Sequence, residues 1–263
     1  MKVIIGGCKQ LIICDLDNGA KITDFWNSDK LGEKKNSRLF EDIDECKQTA
    51  EKLLLTSSGD GGVLILDKNT FKADFIAELK NAHSLELLPD GKVTAAASTG
   101  GDCLCLYEPK DAALLANPVQ KIDFLHAHAL RWDKKRSVLW AGGNNTIIAY
   151  SYDGESLKEK KRFDKVIAEI HDMSFLTEDS FIVTGDENVV IFDLNTGKVK
   201  EFEKLVLCRT VKSCSVNAEG FLLYTQALEE CWWTDSFFVI SPDGTKKMYK
   251  LPSGTEWYKA RWY

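Results

Sequence analysis

The chain repeats one short unit and ends partway through its last copy, and that arrangement leaves few folds open. Ala82-His83-Ser84-Leu85-Glu86-Leu87-Leu88-Pro89-Asp90-Gly91, Ala127-His128-Ala129-Leu130-Arg131-Trp132-Asp133, Ile170-His171-Asp172-Met173-Ser174-Phe175-Leu176 and Val211-Lys212-Ser213-Cys214-Ser215-Val216-Asn217 align with one another. Each is a short alternating strand that runs into a polar turn, as in a hairpin. A weaker copy begins at Cys46-Lys47-Gln48, and Tyr258-Lys259-Ala260-Arg261-Trp262-Tyr263 ends the chain without its turn.

After each of the first five copies comes an apolar strand, a short turn that is usually glycine-rich, and another strand. Ser137–Ala141, Gly142-Gly143-Asn144-Asn145 and Thr146–Tyr150 are one instance; Ser180–Thr184, Gly185-Asp186-Glu187-Asn188 and Val189–Phe192 are another. A second turn, such as Asp67-Lys68-Asn69-Thr70 or Leu194-Asn195-Thr196-Gly197, leads to a fourth strand. With the strands named a to d, the a-strand landmarks are Lys47, His83, His128, His171, Lys212 and Lys259. Their separations of 36, 45, 43, 41 and 47 residues match one propeller blade of about 40–50 residues.

The sixth unit lacks strands b, c and d, and residues 2–7, 10–15 and 20–26 supply them. Pairing the two chain ends within one blade removes the sheet edge that would otherwise invite aggregation. The expectation is an all-β, six-bladed β-propeller, one domain over residues 1–263, closed by pairing N-terminal strands b, c and d with the C-terminal strand a. The WD dipeptide and the kelch signature are both absent. The segments AHSLELLPDG and WYKARWY resemble an uncharacterised bacterial family of six-bladed propellers, WD40-like and NHL-like in appearance. That resemblance implies the fold and brings no activity with it.

Composition narrows the partners. A net charge of -6 argues against nucleic acid, which needs a basic face to displace counterions. No run of 18 apolar residues is available to span a membrane. The start, Met1-Lys2-Val3-Ile4-Ile5-Gly6-Gly7-Cys8, reads as a strand rather than a signal peptide. A cytoplasmic monomer is therefore expected, or a secreted protein if the chain is a trimmed mature form. The eight cysteines form no CxxC pair and read as reduced, mostly core residues. Cys103 and Cys105 should share one face of a strand.

Candidate chemistry follows from blade geometry. The d-to-a and b-to-c connections of a propeller share one face, so a residue that opens strand a lines that mouth. Three of the four histidines fall at the landmark position, giving a histidine arc (His83, His128, His171) opposite a lysine arc (Lys47, Lys212, Lys259). Neutral imidazoles can hold a divalent transition metal. Without metal, the ring would be a cationic funnel for an anionic small molecule such as an acidic carbohydrate. Histidines that merely bond a neighbouring blade, and lysines that reach out to solvent, give a purely structural ring.

The fifth blade has an oversized b-to-c connection, Gln226 to Asp235, which carries Trp232 and Trp233 as apolar faces for a sugar or a protein partner. Residues 27–46 form a second long, charged connection, a lid or a crossing between blades. No GxSxG elbow, HExxH helix or P-loop occurs, and Gly59-Asp60-Gly61-Gly62 is a b-to-c turn. Three uses stay open: a binding propeller for an anionic group, a metal-dependent lyase or hydrolase with three histidine ligands, and a protein-docking scaffold.

Overall fold

A computed structural model describes residues 1–109 and 116–263. The chain is a six-bladed β-propeller of four-stranded antiparallel sheets. Blade 1 comprises Ile43–Gln48, Lys52–Ser57, Gly62–Asp67 and Ala73–Glu78, and blade 2 comprises Ala82–Leu87, Val93–Ala97, Cys103–Tyr107 and Gln120–Asp123. Blade 3 runs through Ala127–Asp133, Val138–Gly143, Thr146–Tyr152 and Leu157–Phe163; blade 4 through Asp172–Thr177, Ser180–Thr184, Val189–Asp193 and Val199–Glu201. Blade 5 is Val211–Val216, Leu222–Gln226, Ser236–Ile240 and Lys246–Lys250. Blade 6 is the composite: Trp257–Trp262 pairs with Lys2–Gly7, followed by Gln10–Asp15 and Lys21–Asn27.

Why these segments form strands is visible in their burial. Strands b and c are apolar along nearly their whole length, as in Lys52–Ser57 and Gly62–Asp67, because both faces of each blade press on a neighbour. Strand d is the outer edge and is largely polar, as in Leu157–Phe163 and Val199–Glu201. The core is accordingly a set of interblade layers. Trp140, Ile147 and Ala149 of blade 3 meet Phe181, Val183 and Phe192 of blade 4, while Val3, Ile5 and Ile12 of blade 6 meet Leu223, Phe237 and Val239 of blade 5.

The c-to-d turns of blades 1 and 4 use one local device. Asp67 Oδ1 accepts from the backbone N–H of Asn69 and Thr70, and Asp193 Oδ1 does the same for Asn195 and Thr196, the Asx-turn that Asp in this position favours. Gly61, in the Ser58–Gly61 b-to-c turn, has φ 81° and lies against the Leu79 backbone, where any Cβ would collide with the Leu79 carbonyl.

Two sequence expectations need correction. The connection after blade 6 ends at Asp42, not Cys46, and it is no lid. It folds into two short helical turns, Ser28–Leu31 and Lys34–Arg38, and buries Leu39 and Phe40 with Ile43 in the blade 6–blade 1 layer. Ser37 Oγ donates to the Ser28 carbonyl at 2.8 Å and ties the two turns together. The second correction is one of register and concerns the ring itself.

Candidate functional site

Every a strand begins with an irregularity. A single extra residue bulges from strand a at Asp44 (blade 1), His83 (blade 2), His128 (blade 3) and Lys212 (blade 5), where the register with strand b shifts. Blade 6 shifts in the same place, between Trp257 and Ala260 opposite Gly7 and Ile5, which puts Tyr258 in the bulge. In blade 4, His171 takes the position, its N–H donating to Thr184 O while Asp172 also pairs with Thr184. Bulges re-aim a side chain, and here they do so at a propeller mouth.

The mouth ring is therefore Asp44, His83, His128, His171, Lys212 and Tyr258. Four of the six landmark residues, His83, His128, His171 and Lys212, are brought together. Lys259 sits one residue further in and Lys47 three residues past its bulge, so the lysine arc is not an arc. Lys259 is fully buried beneath the ring, its Nζ donating to His171 O at 3.0 Å and His83 O at 3.4 Å. Lys47 lies deeper, donating to Ser84 Oγ, Leu85 O and Leu130 O and pairing with Glu86 at 3.1 Å.

Below the ring the axis is filled with charge. Arg261 grips Glu45 and Asp172, and Arg131 approaches Asp172 at 3.5 Å. Around the axis four cations (Lys47, Arg131, Lys259, Arg261) face three carboxylates (Glu45, Glu86, Asp172), which leaves the floor positive. Burial works to raise Glu45, but the Arg261, Lys259 and Lys47 charges outweigh it and hold that carboxyl below its usual range.

The ring itself is nearly neutral. Burial, helped by Lys259, pushes His83 down to about 3, and burial also drives His128 well below 6.5 and lowers His171. Burial raises Asp44 to about 8, so it is a protonated acid at neutral pH. Lys212 is lowered to about 8, first by burial, with Asp186 partly opposing. The three rings touch in sequence: His83–His128 centroids are 4.2 Å apart and His128–His171 5.3 Å. His83 Nδ1 lies 3.1 Å from Asn81 O, which fixes N–H there and leaves Nε2 as an acceptor, while His128 Nδ1 lies between Ser98 Oγ at 3.0 Å and His126 O at 3.2 Å. Asp44 Oδ2 and His171 Nδ1 are buried without a partner.

Nothing in the repeat pattern singles out Asp186, yet it belongs here. It stands in the blade 4 b-to-c turn, whose carbonyl accepts from Thr210 N just before Lys212. Asp186 Oδ1 is 2.6 Å from His171 Nε2 and 3.8 Å from Lys212 Nζ. Tyr258 and Asp44 were missed because their residue types differ from the histidine and lysine pattern that defined the ring.

The long blade 5 connection does reach this mouth. Thr234 exchanges backbone hydrogen bonds with Trp257, which pins the loop to strand a of blade 6. Trp232 is left 45% exposed with its ring 5.9 Å from Tyr258, and Tyr258 is 6.0 Å from His83. Trp233 is half-buried, and its carbonyl accepts from Leu228 N, so it shapes the loop. His126 is turned away to Glu169 at 3.4 Å.

Among the described residues no group of three His, Cys, Asp or Glu is placed so as to hold a metal ion. All eight cysteines are free thiols, five of them buried, and Cys103 and Cys105 do share a face with their sulfurs 3.7 Å apart. No helix among the described residues is long and apolar enough to cross a membrane.

The opposite mouth has a different character. Four positions beyond each bulge stand Gln48, Leu87, Trp132, Phe175, Val216 and Trp262, all half-buried. A groove of about 830 Å³ opens beside Gln48, Leu87 and Trp132.

Comparison with known proteins agrees with the fold and stops there. The model of the Family of unknown function (DUF6528) matches residues 12–263. No curated protein matches the chain. Among solved structures, a protein of unknown function from Bacteroides caccae is similar at TM-score 0.66 and 11% identity, covering 95% of this chain and 93% of that one. A chain of a nidogen/laminin complex gives 0.65 and 10%, covering 98% and 97%. A chain of the mitotic checkpoint complex gives 0.59 and 12%, covering 93% and 76%.

Proposed function

Since the chain belongs to the DUF6528 family of unknown function, and membership brings no activity with it, we propose from geometry that it is a ligand-binding propeller. Its ligand is an anionic, hydroxyl-bearing compound of the acidic carbohydrate class, seated on the ring of Asp44, His83, His128, His171, Lys212 and Tyr258. One observation carries this: five bulges and the matching His171 position put hydrogen-bonding side chains on one mouth, and two of these residues, Asp44 and His171, hold buried polar atoms with no partner. Buried orphans of this kind are rare unless a ligand or water completes them.

The parts divide by chemistry. His83 Nε2 accepts from a ligand hydroxyl, His128 Nε2 bonds another, and the protonated Asp44 donates. Lys212, backed by the buried Lys259 charge, takes the negative group. Trp232 offers an exposed aromatic face beside Tyr258 for a sugar ring. Funnel charge is smaller than a full lysine arc would give, so selectivity rests on hydrogen bonding as much as on charge.

A thermal-shift comparison of uronic-acid oligosaccharides with their neutral counterparts tests this. Acidic sugars raise the melting temperature, neutral ones do so less, and Lys212→Ala removes the difference. No shift with any acidic sugar rejects the assignment. A protein partner on the same face has one observation in its favour. Leu125, Val206 and Leu207 are exposed on d-to-a connections, and Leu207→Asp would then abolish binding while Lys212→Ala would not.

A further inference from the structure

The contacts around Lys212 contain a conflict that only one proton arrangement removes. Lys212 Nζ lies 2.9 Å from His171 Nε2, and that same nitrogen lies 2.6 Å from Asp186 Oδ1. A single imidazole nitrogen cannot accept from an ammonium and donate to a carboxylate at once. With the proton on Nε2, the single N–H is shared between Asp186 and the neighbouring amine, a contact that favours the free base of Lys212, whose lone pair accepts, over the ammonium. Lys212 is 6% exposed, and its nearest carboxylate, Asp186 at 3.8 Å, is already engaged by His171.

We propose that Lys212 is a nucleophilic amine that captures a carbonyl compound bearing a carboxylate, an oxo acid or aldehydo acid, as an imine at the mouth ring. The inference rests on the proposed ligand site and narrows its ligand class. The Lys212 nitrogen lone pair attacks the carbonyl carbon and the C=O electron pair moves to oxygen, which takes a proton, giving a carbinolamine once nitrogen has lost one. The carbinolamine hydroxyl then receives a proton and leaves as water, and a C=N bond forms; no oxidant or reductant enters. His171, held by Asp186, is the group within reach to pass these protons. Lys259 beneath the ring stabilises the ligand carboxylate. The lowering of Lys212 to about 8 by burial keeps about a tenth of the amine unprotonated at pH 7.

The test is reductive trapping of the intact protein with glyoxylate and cyanoborohydride, followed by peptide mapping. Lys212 is labelled at least tenfold faster than the exposed lysines, with propanal, which lacks the carboxylate, showing no such preference. The labelling rate rises with pH with a midpoint near 8 and levels off above it. In Asp186→Asn that midpoint falls, because a charge that favours the ammonium is gone, whereas simple loosening of the site would move it up toward the ordinary lysine value. Label distributed by exposure, with Lys212 spared, overturns the proposal. So does an upward shift in Asp186→Asn. If an acidic oligosaccharide binds by calorimetry while glyoxylate leaves Lys212 unlabelled, the imine is rejected and the anion site stands; failure of both rejects both.

Discussion

Arg261 and Glu45, 216 residues apart, close the propeller with a two-pronged ion pair: Nε to Oε1 and Nη2 to Oε2, each 2.8 Å. The same guanidinium reaches Asp172 of blade 4, at 2.9 Å for one of its contacts. One side chain of the last strand thus bridges blades 1, 4 and 6 across the axis.

Removing that guanidinium leaves Glu45 and Asp172 buried with only the longer ion-pair contacts to Lys259, Lys47 and Arg131, at 3.5 to 4.0 Å. Arg261→Met should destabilise the protein by about 3–5 kcal/mol, the usual cost of breaking a buried pair, read as a lower midpoint in urea. Arg261→Lys recovers only part of this, because an ammonium cannot grip two carboxylates in the plane of a fork.

Deleting residues 257–263 should do more than destabilise. Lys2–Gly7 would lose its partner strand and become an open edge, and exposed edges pair with other chains. Light scattering during refolding should rise for the truncated protein and stay flat for the full chain.

Acid should weaken the fold through the ring histidines. His83 has its folded value at about 3, against about 6.5 in an unfolded chain. Between the two the unfolded state binds more protons, so stability is complete above about 6.5 and is lost as pH falls. The slope is up to about 1.4 kcal/mol per pH unit for such a histidine. His83→Gln should flatten the urea-midpoint profile between pH 6.5 and 4.

Asp44 works in the opposite sense. Its folded value, raised by burial to about 8, exceeds the unfolded value of about 3.9, so its contribution is fully present at low pH and is lost as pH rises through 8. Asp44→Asn should therefore be more stable than the parent at pH 9 and little different at pH 4.

Blade number, strand order and closure were all legible in the sequence, because apolar strands b and c and their turns recur at blade spacing. Four of the ring residues were legible too, since three histidines and Lys212 open well-matched copies. Blade 1 was anchored on Lys47, three residues past Asp44, and blade 6 on Lys259, one past Tyr258. Period-two alternation offers several equivalent anchors along a strand, and a bulge adds one residue that no local pattern announces. Asp186 was out of reach for another reason: it comes from a turn, and only the closed ring carries it to His171.

Trp232 gives a prediction independent of charge. Trp232→Ala should weaken an acidic sugar by roughly 1–2 kcal/mol, about ten-fold, while leaving the urea midpoint near that of the parent, because the ring is exposed. A metal at the ring would instead make binding sensitive to chelation, and the geometry predicts that saturating EDTA leaves affinity unchanged.

The most direct measurement is calorimetric titration of a uronic-acid oligosaccharide into the parent, Lys212→Ala and His128→Ala, with EDTA present throughout. Binding to the parent that drops at least tenfold in both variants places the ligand on the bulge ring. Equal affinity in all three, or no binding to the parent, would contradict it.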